Sequence, residues 1–138
     1  MKETIIVNVS WCGKNFSASF GENVPGAVVF TASNFSELQK EAQVSLDFHL
    51  EGMEEDGDPV PSWWKSGDYE FRFQYTDVAS LLQAYSDLVP LASISRASGI
   101  NQHQLSHYST GLKTPRPQQR QRIVDGLHKI GHELIAVV

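Results

Sequence analysis

Between Pro90 and Arg116 the chain runs PLASISRASGINQHQLSHYSTGLKTPR, two short helix-forming segments broken at Gly99. The second segment starts at Asn101, whose side chain can accept a bond from a free backbone N–H of the first turn. Gln104, three residues on, is placed to reach back to the Asn101 N–H and complete a capping box. At about 100° per residue, Leu105 and Tyr108 fall on one face, and Asn101 begins on that side. His103, Ser106, His107 and Thr110 fall opposite, with Gln102 on the margin. That outer face is polar, uncharged and rich in paired donors and acceptors, which suits the edges of base pairs. Two helices joined by a Gly-containing turn, the second with such a face, predict a helix-turn-helix that reads double-stranded DNA.

A net charge of −5 sits poorly with a DNA ligand until the chain is divided. Residues 1–76 hold five basic and twelve acidic side chains, a net −7; residues 77–138 hold six and four, a net +2. Between 90 and 122 stand Arg96, Lys113, Arg116, Arg120 and Arg122, with no acid among them. The second half therefore suits phosphate and the first a basic partner. A three-helix bundle with an ordinary polar face would share the periodicity; the basic flanks favour DNA. Gln102 and His103, at the N-terminal end of the second helix, are the candidates for base edges. Ser106 and His107 are candidates for bases or phosphate. Arg96, Lys113, Arg116 and Arg120 are expected to meet phosphates and fix register without specifying sequence.

Upstream, Thr4–Trp11 alternates and is β-branched, and Asn15–Phe20 alternates again, so two strands are expected around a hairpin turn at Cys12-Gly13-Lys14. After the Pro25-Gly26 turn signal, Ala27–Phe30 forms a third strand. Asn34 then caps a helix, with Glu37 at the capping-box position. Phe35, Leu38, Ala42, Leu46 and Leu50 make its apolar stripe, which is expected to pack on one face of the sheet. Gly52–Ser62 is expected to be an acidic, Gly/Pro-rich loop, and Tyr69–Tyr75 a fourth strand with its aromatics on one side. The first part is thus β-β-β-α-β, an α+β layer structure with an antiparallel sheet. Asp77 then caps a helix carrying Val78, Leu81, Leu82, Tyr85 and Val89. A last helix from about 118 to 130 turns Ile123, Leu127 and Ile130 inward. Leu134–Val138 is either a strand, able to pair between chains, or a helix extension.

Two stretches of residues resemble one family. Phe16-Ser17-Ala18, Pro25-Gly26, Thr31-Ala32, Glu41-Ala42, Leu50-Glu51-Gly52, Glu55-Asp56-Gly57 and Pro59-Val60-Pro61 follow the order and spacing of the HicB antitoxin family, over residues 4–76. The C-terminal part resembles the Xre-like helix-turn-helix that many HicB proteins carry; Ser106, Gly111 and Pro115 sit where that family has its Ser, Gly and Pro. The chain departs from the pattern at Val29-Phe30, which precede Thr31 in place of a glycine, and at Ile94-Ser95 in the first helix. The resemblance implies a partial RNase H-like sheet domain over 1–76, followed by an all-α helix-turn-helix domain over 77–138. It further implies a type II toxin–antitoxin role: covering a small basic HicA-like ribonuclease toxin and repressing the operon that encodes the pair.

Within that expectation the partner contacts are Glu54, Glu55, Asp56 and Asp58, with Trp63 and Trp64 beside them. Such an acidic run is either a solvated loop or a contact for a basic protein. Each Trp is either an interface anchor or core, and one inside with one outside is the expectation. An RNase H-like outline raises catalysis, but Thr4–Trp11 carries no acid with which to begin a Mg²⁺ carboxylate cluster. His103/His107 and His128/His132 have i, i+4 spacing without an obvious third ligand, so no metal is assigned. Cys12 has only Lys14 as a basic neighbour and is not expected to be a nucleophile. No enzyme activity and no cofactor are expected. With a lone cysteine, no signal-peptide pattern and no long apolar run, the expectation is a cytoplasmic protein without a membrane partner. It is expected to be a homodimer or higher homo-oligomer that places recognition helices about 34 Å apart on a palindromic operator. A stand-alone regulator with a ligand-sensing or oligomerising first domain is the alternative.

Overall fold

The computed structural model describes residues 2–138, an α+β chain that divides into two compact units, 1–76 and 77–138. The first unit contains β1 (Glu3–Trp11), β2 (Phe16–Phe20), β3 (Val29–Ala32), α1 (Phe35–Glu55), α2 (Ser62–Ser66) and β4 (Tyr69–Tyr75). The second contains α3 (Val78–Tyr85), α4 (Leu91–Ser98), α5 (Gln102–Thr110) and α6 (Pro117–Ile135). No helix among the described residues is long and apolar enough to cross a membrane.

The sheet runs β3-β2-β1-β4. β1 pairs antiparallel with β2 (Val9 opposite Ala18) and β2 antiparallel with β3 (Ala18 opposite Phe30). β1 pairs parallel with β4, Ile5 opposite Phe71 and Val7 opposite Phe73, so the sheet is mixed and the expected all-antiparallel arrangement is corrected. Parallel neighbours need a crossover of at least about a dozen residues, and the segment carrying α1 and α2 supplies it. Period-two alternation then sends Ile5, Val7, Val9, Phe16, Ala18, Phe30 and Ala32 into the core.

Against that face lies α1, whose Leu38, Ala42, Leu46 and Leu50 are fully buried. A helix of this kind is held mainly by its packed face, each buried leucine contributing about 1.5–3 kcal/mol. Phe35 meets Phe73 edge to face, with centroids 5.2 Å apart. The helix runs past Gly52 to Glu55, because a mid-helix glycine costs only about 1 kcal/mol and cannot stop a well-packed helix. Gly57, at φ +80°, ends it, with Gly57 N–H donating to Glu54 O and Asp58 N–H to Met53 O. Only the segment after Glu55 is therefore loop, and the expected 52–62 loop is shortened. Trp63 and Trp64 sit in the unexpected short helix α2.

Asn34 caps α1 by accepting from Glu37 N–H at 2.8 Å. Glu37 answers one residue further back, accepting from the Ser33 hydroxyl and the Ser33 N–H. Those two bonds, the hydroxyl's first, hold the Glu37 carboxyl below the ordinary carboxylate value. A depressed folded value means the stabilisation is present above the unfolded pKa and lost as pH falls through the folded one. Glu37→Gln should therefore lower the melting temperature slightly at neutral pH, with the gap to wild type closing in acid. A gap independent of pH would contradict the bonding.

In the second unit Asp77 caps α3, accepting from Ser80 N–H at 2.7 Å. Val78, Leu81, Leu82, Val89, Ile94, Ile100, Leu105, Tyr108 and Ile123 form the buried core. Leu127 and Ile130 are half-buried, and α6 continues to Ile135. Residues 134–135 are thus helix extension rather than strand, and Leu134, Ile135 and Val137 are exposed.

Candidate nucleic-acid interface

α4 ends at Gly99, whose φ of +74° is a left-handed turn that glycine adopts without strain. Its N–H donates to Ser95 O at 2.8 Å. Three residues later α5 begins. The turn between them is fixed by polar bonds: Ser95 Oγ donates to Ile100 O at 2.6 Å, and Ile100 N–H donates to Ser98 Oγ at 3.2 Å. Ile100, buried beside this turn, and Ile94, Leu105 and Tyr108 lock both helices to the core. Asn101 caps α5, accepting from His103 N–H at 2.8 Å. The reciprocal half of the expected capping box is absent, because Gln104 Nε2 donates instead to the Tyr108 hydroxyl at 2.8 Å. From α3, Gln83 Nε2 donates to Ser109 O at 2.8 Å and steadies the far end of α5.

With Leu105 and Tyr108 buried, α5 turns Gln102, His103, Ser106 and Thr110 outward, all exposed, and leaves His107 half-buried. The His103 and His107 rings meet edge to face, centroids 4.4 Å apart. This leaves a row of amide, imidazole and hydroxyl groups with no carboxylate among them. The basic residues come from other elements. Arg96 is exposed on α4 and donates to Ser93 Oγ. Lys113 lies exposed in the turn after α5, where its backbone N–H donates to His107 O at 3.2 Å. Arg116 is exposed at the N-cap of α6, and Arg120 is half-buried within its first turns.

Arg122 has a role that residue counting misses. Its Nε donates to Ser98 O at 3.2 Å and its Nη1 to Gln119 Oε1 at 2.9 Å. A guanidinium at the C-terminal carbonyls of α4 favours the negative end of the helix dipole. The sequence gives no signal for this, since Asp125, three residues on, offers an equally ordinary helical partner.

The acidic candidates lie at the C-terminal end of α1 and in the loop that follows it. Glu54 and Glu55 lie in the last turn of α1, Asp56 is its C-cap and Asp58 follows Gly57. Glu54 is ion-paired with Lys65 of α2, both exposed. Exposed pairs of this kind contribute about 0–1 kcal/mol, so the pair orients more than it stabilises. Trp63 and Trp64 do not divide into one inside and one outside; both are half-buried against the cluster of Ile5, Val24, Leu46 and Leu50. Trp64 Nε1 donates to Asp47 Oδ1 at 2.9 Å, and Trp63 packs edge to face on Tyr69. Both indoles thus take part in the packing of the sheet domain while keeping part of their surface exposed. The exposed apolar residues of this unit lie elsewhere, at Val29, Val44 and Phe48, and the periodicity of α1 gives no reason for them.

Among the described residues no three His, Cys, Asp or Glu side chains gather into a group able to hold a metal ion. Compared with known proteins, the chain matches no family model, no curated protein and no solved structure.

Proposed function

We propose that the chain is a non-catalytic antitoxin and autorepressor of the HicB type, whose first unit covers a small basic HicA-like ribonuclease and whose second binds operator DNA. The observation that carries the DNA half is the exposed face of α5: four polar side chains without a carboxylate, on a helix locked to its support by Ile100, Leu105 and Tyr108. The amides and imidazoles of Gln102 and His103 match base edges, and Arg96, Lys113, Arg116 and Arg120 supply the phosphate contacts. The partner half rests on the net −7 of residues 1–76 and on the resemblance of their motifs to the HicB family. Dimerisation places two α5 helices in successive major grooves about 34 Å apart.

Gel-shift or anisotropy titration against the DNA upstream of the gene tests the reading. Gln102→Ala is expected to cost about 1–3 kcal/mol on the preferred site and little on scrambled DNA. Arg116→Ala is expected to weaken both DNAs alike and to lower the salt slope by about one. Two variants indistinguishable from wild type would exclude α5 and its flank from the contact. For the partner half, purification from the native host should recover a small basic protein in stoichiometric amount. Its absence, with DNA binding intact, would leave a stand-alone regulator.

A further inference from the structure

The outward side of α1 is not an ordinary solvated face. Opposite the buried Leu38, Ala42, Leu46 and Leu50, the spacing of three and four residues aligns Glu37, Glu41, Val44, Phe48, Glu51 and Glu55 in one stripe along the helix. Its ends are acidic and its centre is apolar. Phe48 is 81% exposed and Val44 59%, a phenylalanine and a valine in water on the one face where helix patterning calls for polar residues. Beside them opens a groove of about 640 Å³ between α1 and the residues leading into β3, with Ala27, Val28 and Val29 as its far wall and Met53 at one end. Val29 is 71% exposed, and β3 is an edge strand of the sheet. The wall is held in place by His49, whose Nε2 donates to Pro25 O at 2.6 Å, and by Gly26, at φ +83°, where a Cβ would come within 3.0 Å of the His49 ring.

Charge chooses the occupant. α1 carries six carboxylates and one lysine, and Glu41, Glu51 and Glu55 make no ion pair among the described residues. A second copy of the chain laid across Val44 and Phe48 would set acidic ends against acidic ends whether the helices ran parallel or antiparallel. Like charges so placed repel and are a device against self-pairing. A partner presenting apolar side chains between lysines and arginines is complementary at the centre and at both ends. We propose that the Glu37–Glu55 stripe of α1, with the groove to Val29, is the docking surface for the cationic protein partner, in place of Asp58, Trp63 and Trp64. The inference rests on the reading of residues 1–76 as the cover for a basic protein. Phe48 is the anchor, Val44 and Val29 its apolar surround, and Glu41, Glu51 and Glu55 set orientation and association rate.

The test uses the full chain and the separately purified small basic protein encoded beside its gene, by calorimetry and stopped flow. The double variant Val44→Ser/Phe48→Ser should weaken binding by about 30-fold or more. Both positions are exposed, so its melting curve should stay that of wild type. Glu41→Lys/Glu51→Lys should slow association about tenfold and remove its salt dependence. Asp58→Asn, in the loop after Gly57, should bind as wild type does. Unchanged binding in both stripe variants, with wild type still binding tightly, would overturn the docking surface and leave the partner reading standing. Failure of wild type itself to bind would remove both. Should Val44→Ser/Phe48→Ser lose self-association and keep its affinity for the basic protein, the stripe belongs to a second copy and the proposal is overturned.

Discussion

Leu50→Ala is expected to lower the unfolding free energy of residues 1–76 by about 2–5 kcal/mol. Leu50 is fully buried near the end of α1, in a cluster with Ile5, Val24 and Leu46, and half-buried Met53, Trp63, Trp64 and Phe71 pack against it. Truncation removes the transfer energy of three carbons and leaves a cavity that α1 and the sheet can only partly close. Small domains have about 5–15 kcal/mol in all, so this single loss is a large fraction. All three tryptophans lie in residues 1–76, and Trp63 and Trp64 pack against the same cluster. Tryptophan fluorescence in a urea titration therefore reports the change, as a lower midpoint with an unaltered slope. Phe48→Ala on the same helix is the control. It removes a larger side chain, but from water, and should stay within about 0.5 kcal/mol of wild type. Equal losses at the two positions would contradict the assignment of the buried and exposed faces.

Phe48 also shows where the sequence stops being informative. The stripe of Leu38, Ala42, Leu46 and Leu50 is legible because burial imposes a period, and β1 and β2 are legible for the same reason at period two. Val44 and Phe48 obey the helix but not its amphipathic pattern. Helix spacing turns them away from the Leu38–Leu50 stripe, but nothing in a single sequence says why apolar side chains stand on that outer face. Strand direction is equally silent. Tyr69, Phe71, Phe73 and Tyr75 alternate alike whether β4 runs parallel or antiparallel to β1, and the choice is made by the crossover through α1 and α2. Local competition explains the smaller differences. Gln104 has two partners within reach, and the Tyr108 hydroxyl, at the edge of the core, takes it from the Asn101 N–H. The third strand starts at Val29 rather than Ala27 because the Pro25-Gly26 turn is pinned by His49, a residue 24 positions away. The outward face of α5 was legible for a physical reason too. Leu105 and Tyr108 fix its rotation, and the residues opposite, all polar, are thereby turned outward.

The two glycines of α6 should respond to substitution with opposite signs. Gly126 is buried where α6 crosses α4, and a Cβ built on it would lie 3.1 Å from Ser98 N and 3.2 Å from Ser98 Cβ. The obstacle includes backbone, in the residue that precedes the left-handed turn at Gly99, so it has little freedom to retreat. Gly126→Val adds two further methyls to that contact and should destabilise residues 77–138 by about 1–3 kcal/mol through overpacking. It should also weaken the proposed DNA binding, since α4 and its turn set the position of α5. Gly131, five residues on, has nothing within 4 Å of its would-be Cβ and an ordinary helical backbone. There the only change is in helix propensity, and Gly131→Ala should stabilise by about 0.5–1 kcal/mol and leave the proposed DNA binding unaltered. Far-UV circular dichroism follows both, because residues 77–138 are mostly helical while the tryptophans are confined to 1–76. Destabilisation by both substitutions would mean that α6 has a neighbour along its outer face in solution. Stabilisation by both would mean that α4 and α6 stand further apart than the Ser98–Gly126 contact requires.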